Sequence, residues 1–232
     1  MTEHEWQHCT DPTPVLEFLR GKASDRKLRL FAVACCRRFW GVATQDDRTL
    51  VRVAEMFADG EVEGQDLAEA RRQVQSGFTQ NFYSGGDTVF TAFGDGPAPH
   101  VGEAARSLLV SAYRTGPSGY DRASINARYQ AREAERARQV ATIRCLFGNP
   151  FRPASLAPAI LTWNDATVVR LAQAAYEERK MPEGTLDNGR LAVLADALEE
   201  AGCTDADVLG HLRGQGPHVR GCWAVDLCLG KS

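Results

Sequence analysis

The chain has 232 residues, 44% of them hydrophobic, and a formal net charge of −3, which is enough apolar material for one compact domain or two small ones without a disulfide or metal staple. That charge gives no global drive toward nucleic acid or an anionic membrane, so any such binding has to come from a local patch. No apolar run approaches membrane-spanning length, the opening MTEHEWQHCTDP lacks a signal peptide's basic-then-apolar pattern, and seven cysteines cannot all pair internally, all of which points to a reducing cytoplasm.

In chain order, Asp11-Pro12-Thr13-Pro14 opens a short helix through Val15, Leu16, Phe18 and Leu19, with Asp11 as cap and Gly21 as stop. Ser24 and Asp25 open a second helix whose Leu28, Phe31, Ala32, Cys35, Cys36 and Phe39 fall on one stripe. A third helix is expected over about Gln45 to Ala58, with Leu50, Val53, Ala54 and Phe57 on one face, and Gly64-Gln65-Asp66 begins a fourth. Between Tyr83 and Pro99 glycine, proline and aspartate predict an irregular loop. The helical pattern resumes near Val101 to Tyr113, breaks at Gly116-Pro117 and runs from about Ser118 to Phe147. In that last run Ala123, Ala127, Ala131, Ala134, Ala137, Ala141 and Cys145 form a small-residue stripe suited to close helix packing, opposite a solvated face with Arg128, Arg132, Glu135 and Arg136.

Gly148-Asn149-Pro150-Phe151-Arg152-Pro153 stops any helix. A boundary there divides the chain into an N-terminal helical region, 1–148, with an irregular insertion at about 83–117, and a C-terminal helical region, 149–232, packed on it. In the second region Asn164 or Asp165 is placed to cap a helix through Val168, Leu171, Ala172 and Ala175. Another helix runs from about Asn188 to Ala201 with Leu191, Leu194, Ala195 and Leu198 inward, and Thr204 caps the next. The tail from Gly214 mixes its pattern, yet Cys222, Trp223, Val225, Leu227 and Leu229 offer apolar surface that predicts docking. The fold expected is mainly α, an irregular helical bundle with a Gly/Pro-rich central loop.

Three segments carry a resemblance: the opening from Glu5-Trp6 through LEFLRGKASDRKLRL to Cys35-Cys36-Arg37-Arg38, the turn FGNPFR from Phe147 to Arg152, and GPHVRGCW from Gly216 to Trp223 with Asp226. Together they resemble a family of uncharacterised proteins abundant in planctomycete bacteria. The resemblance implies no activity and no catalytic residue. LAVLADALEEAG, from Leu191 to Gly202, is similar to a short planctomycete repeat-companion motif, which implies at most an accessory interaction role.

Among residues with chemistry, Cys203, His211, His218 and Cys222 are the grouping of types that could complete a tetrahedral zinc site. Their spacing is irregular and lacks a Cys-x-x-Cys knuckle, so the expectation is no metal and no cofactor. Cys35 and Cys36 point about 100° apart on a helix and have no assignable histidine partner for nucleophilic catalysis. Arg20, Lys22, Arg26, Lys27, Arg29, Arg37 and Arg38 concentrate positive charge, which reads either as an anion or nucleic-acid face or as a solvated helix face paired with acids. His218, Arg220 and Trp223 in the Gly-rich tail could line a small-ligand or peptide pocket, or pack as structural anchors. Gly85-Gly86-Asp87 and Gly94-Asp95-Gly96 lack the Lys-Ser/Thr of a phosphate loop.

The function expected is a non-catalytic helical interaction or accessory module, binding another protein or peptide without a membrane. The alternatives are nucleic-acid or anion binding through the stretch 20–38, with Arg26, Lys27, Arg37 and Arg38 as contacts, and an enzyme with its site near His218, Arg220 and Trp223. Partner identity and oligomeric state are not legible.

Overall fold

Side-chain caps set where the helices begin. In the computed structural model, which describes residues 1–77, Ala105, Leu109, Ala112 and residues 116–231, the Thr2 hydroxyl accepts from the Glu5 amide and starts α1 (Glu3–His8). Asp11 accepts from the Thr13 amide at 2.9 Å and starts α2 (Pro12–Leu19). Ser24 caps α3 (Asp25–Arg37), Thr44 forms a capping box with Asp47 at the start of α4 (Gln45–Ala58), and α5 follows over Gly64–Gly77. The remaining helices are α6 (Arg122–Phe147), α7 (Pro158–Glu177), α8 (Asn188–Glu200), α9 (Ala206–Arg213) and α10 (Trp223–Leu229). Among the described residues there is no sheet, only isolated bridges from Thr185 to Lys180 and to Val219. The mainly α reading holds. The Gly/Pro-rich segment expected as an irregular loop lies outside the described residues, while Ala105, Leu109 and Ala112 are helical and buried. No described helix is long and apolar enough to cross a membrane.

The chain divides into two units, Met1–Val140 and Ala141–Ser232, so the division falls inside α6 rather than at the Gly148 turn. The reason is that the last turns of α6 bury Ile143, Cys145 and Leu146 in the second unit. In the first unit α3, α4 and α5 enclose a core of Ala32, Val33, Cys36, Leu50, Val51, Ala54, Leu67, Ala70 and Val74. Helix α3 is buried around its whole circumference from Arg29 to Arg37, which corrects the single-stripe expectation: Leu28 is only half-buried, while Leu30 and Val33 are core.

The alanine stripe of α6 is also corrected. Ala123, Ala134 and Ala137 are exposed, and Glu135, Gln139 and Thr142 are buried. The inward face is chosen by a polar network, in which Arg38 grips Glu135 bidentately at 2.6 and 3.0 Å and Gln139 donates to Glu135 and to the Ala105 carbonyl, both at 3.1 Å. A charge-assisted fork of this kind outweighs the gain from close packing of methyl groups.

In the second unit α8 packs on α7 and α9, and α10 packs on α7 and α9. Leu191, Leu194, Ala195 and Leu198 face inward as expected. Helix α7 begins earlier than expected, at Pro158, and restarts after an interruption at Trp163–Ala166, where Asn164, Asp165 and Ala166 have φ of 48, 53 and 57°. Asn and Asp tolerate this left-handed region better than other non-glycine residues, so a capping signal there marks a restart. The cap of α9 is Asp205 rather than Thr204, accepting from the Asp207 and Val208 amides. The tail is docked: the Leu186 amide donates to the His218 carbonyl at 2.9 Å, and α10 buries Ala224, Val225, Asp226 and Cys228.

Candidate metal centre

Three segments of the second unit bring four side chains to one point. Cys145 sits on the last turn of α6. His211 sits on the last turn of α9, which ends where the Gly214 amide donates to the His211 carbonyl. His218 lies in the turn that follows, and Cys222 is the N-cap of α10. One ligand atom from each of the four lies within 4.8 Å of all the others. A tetrahedral zinc ion with bonds of about 2.3 Å to sulfur and 2.0 Å to nitrogen needs ligand separations of roughly 3.3–3.8 Å, so modest closure suffices. His211 Nε2 is already 3.2 Å from Cys222 Sγ.

The surroundings are dry. Cys145 and His218 are each 2% exposed, Cys222 is fully buried, and His211 is half-buried beneath Trp223, with ring centroids 5.2 Å apart. The His211 and His218 rings meet edge to face at 4.8 Å. Gly148, at φ +60°, ends α6 so closely under the indole that a Cβ there would lie 3.0 Å from Trp223. The turn after α6 and the start of α10 are thereby locked together.

Burial by itself would raise the Cys222 thiol, but the neighbouring Cys145 thiol and the imidazoles of His211 and His218 outweigh it and hold Cys222 well below its ordinary range. Burial lowers the His218 imidazole, and the Cys222 sulfur and Gly214 carbonyl more than reverse this, leaving it raised. Nδ1 of His218 is buried and has the Cys222 sulfur as its neighbour, outside regular hydrogen-bond geometry, while Nε2 lies 3.2 Å from the Gly214 carbonyl. Two thiolates and two neutral imidazoles around a divalent cation make a neutral assembly, which removes the cost of burying separate charges.

The cluster differs from the sequence grouping by one residue. Cys203 is buried elsewhere in the unit, close enough to Cys228 to help raise that thiol's pKa, and Cys145 takes the fourth position. The expectation of no metal rests on the irregular spacing from Cys203 to Cys222. The fold supplies the missing thiol from a helix far upstream. A local signal was present, because the Gly/Pro-marked turn FGNPFR follows directly after Cys145 and Leu146, and the turn GPHVRGCW contains His218 and Cys222.

The other expected site residues are dispersed. Arg37 pairs with Glu55 at 2.6 Å in the core, Arg38 with Glu135, and Arg26 with Asp59 at 2.9 Å, while Lys27 is buried. These four are built into the N-terminal unit as structural cations rather than presented as a basic face. Arg220 lies over the Tyr176 ring at 5.0 Å, while the His218 and Trp223 rings both border His211, at centroid distances of 4.8 and 5.2 Å. Burial pushes the Cys35 thiol up to about 12 and the Cys36 thiol further, which makes both poor nucleophiles. Comparison with protein-family models, curated proteins and solved structures finds no match to the chain.

Proposed function

We propose that the chain is a non-catalytic helical interaction module of the cytoplasm, acting on another protein or peptide, whose C-terminal unit folds around a structural zinc ion held by Cys145, His211, His218 and Cys222. The observation that carries this reading is the convergence of two thiols and two imidazoles from three separate segments at a buried point. Sulfur and imidazole ligands in a tetrahedral set favour zinc among the common divalent ions. Four protein ligands fill that geometry, and a site without an open position supports folding rather than Lewis-acid chemistry. Nucleic-acid binding through residues 20–38 is disfavoured because Arg26, Arg37 and Arg38 are engaged by carboxylates within the fold.

The test is elemental analysis of protein purified under reducing conditions and reconstituted with zinc. About one equivalent is expected in the parent chain, lost in Cys145→Ser and in Cys222→Ser and kept in Cys203→Ser. Zinc absent from the reconstituted parent, or retained in both Cys145→Ser and Cys222→Ser, refutes the reading.

A further inference from the structure

Resting on that zinc reading, we propose that the two histidines bind the metal through different ring nitrogens, His211 through Nε2 and His218 through Nδ1, with the Gly214–Pro217 turn as the positioning element for His218. The backbone carbonyl of Gly214 can only accept a hydrogen bond, so the His218 nitrogen 3.2 Å away, Nε2, carries the proton. In the neutral ring Nδ1 then holds the free lone pair. That atom is buried, in a side chain 2% exposed within the cluster, and has the Cys222 sulfur as its neighbour. A metal ion at the centre of the cluster takes that lone pair and the Cys222 sulfur together, while the outer carbonyl keeps its proton on Nε2. For His211 the geometry is reversed, since Nε2 is the atom that faces Cys222 Sγ at 3.2 Å.

Local chain geometry explains why His218 presents its nearer nitrogen. Helix α9 ends at Gly214, which places a free carbonyl beside the ring. Gly216 has φ +87°, and a Cβ on it would lie 2.8 Å from the His218 amide nitrogen and 3.2 Å from ring Cδ2. Only glycine lets the imidazole lie this tightly against its own turn. The ring is thus held from its Nε2 side by a carbonyl and along its edge by the backbone, leaving Nδ1 directed inward. An outer partner of this kind fixes both tautomer and orientation of a ligating histidine.

The experiment uses the full chain with 15N-labelled histidine, zinc-loaded and reduced, and reads ring nitrogens by long-range proton–nitrogen correlation. A metal-bound Nε2 with protonated Nδ1 is expected for His211, and a metal-bound Nδ1 with protonated Nε2 for His218. Both rings bound through Nε2 overturns the inference and leaves the zinc reading standing. Zinc-independent spectra together with no bound metal remove the zinc reading itself. Gly216→Ala should weaken zinc binding about tenfold or more and disturb the His218 nitrogen shifts specifically, with Gly230→Ala as the control because a Cβ there meets nothing within 4 Å. Unchanged affinity and shifts in Gly216→Ala would remove the turn from its positioning role.

Discussion

The two units bury polar chemistry in opposite ways. In Met1–Val140 the buried carboxylates meet cations of the protein itself: Glu55 with Arg37, and Glu135 with Arg38. In Ala141–Ser232 the buried centre is a set of potential ligands, two thiols and two imidazoles, with no cationic side chain among them. The first arrangement supplies its own cations as guanidinium groups, whereas the second, under the zinc proposal, takes one from solution. Charge burial alone is therefore a poor guide to a binding site, and the informative sign is the convergence of several ligand atoms with no cation of the protein among them.

The largest effect expected from this contrast is on metal removal. Chelation under reducing conditions should abolish amide exchange protection in α9 and α10 while α3 to α5 keep theirs, because zinc binding in small structural sites is worth on the order of 10 kcal/mol. Equal loss in both units, or none in either, would break the comparison. Next is Arg37→Ala, which strands the Glu55 carboxylate and should cost about 3–5 kcal/mol in denaturant unfolding without changing metal content. Arg37→Met combined with Glu55→Leu should recover most of that loss, since an apolar pair of similar volume needs no charge compensation.

A smaller effect is expected at the turn under Trp223. Gly148→Ala should cost more than about 1 kcal/mol, because the residue sits at positive φ and also meets the indole. Gly230→Ala, at a similar φ of +64° with open space around it, should cost less, and the difference in melting temperature isolates the indole contact.

The smallest effect is alkaline. Cys35, whose pKa rises from 9.0 to about 12 through burial, stays a neutral thiol in the folded chain. Its contribution to stability is therefore complete below its ordinary value and is lost as pH climbs from 9.0 toward about 12. Unfolding free energies at one pH unit above the ordinary value should have fallen by about 1 kcal/mol more in the parent than in Cys35→Ala. Identical pH profiles would place that thiol in contact with solvent.

Local signals read well from the sequence. The Asp11 and Ser24 caps, the bounds of α4 and the inward leucines of α8 each depend on a few neighbouring residues. The polar partnerships did not read. Arg38 and Glu135 are brought together by α3 and α6, and no spacing rule connects them. For the same reason the sequence pattern assigns Glu135 to a solvated face and the alanines of α6 to an interface. At the metal centre His211, His218 and Cys222 were visible as a group because they lie within one stretch of chain. Cys145 was not, since its place is set by how the end of α6 meets α9 and α10.

The position of Cys145 at the entry to the C-terminal unit and of Cys222 near its close has a thermodynamic consequence of its own. An ion bound at both is a reversible cross-link spanning most of that unit, so the unit's stability follows mass action, rising by about 2.7 kcal/mol when free metal reaches a hundred times its dissociation constant. The ion pairs of the N-terminal unit, Arg37 with Glu55 and Arg38 with Glu135, bring no such dependence. One chain would then hold a half of fixed stability joined to a half whose persistence is set by the free zinc of its surroundings.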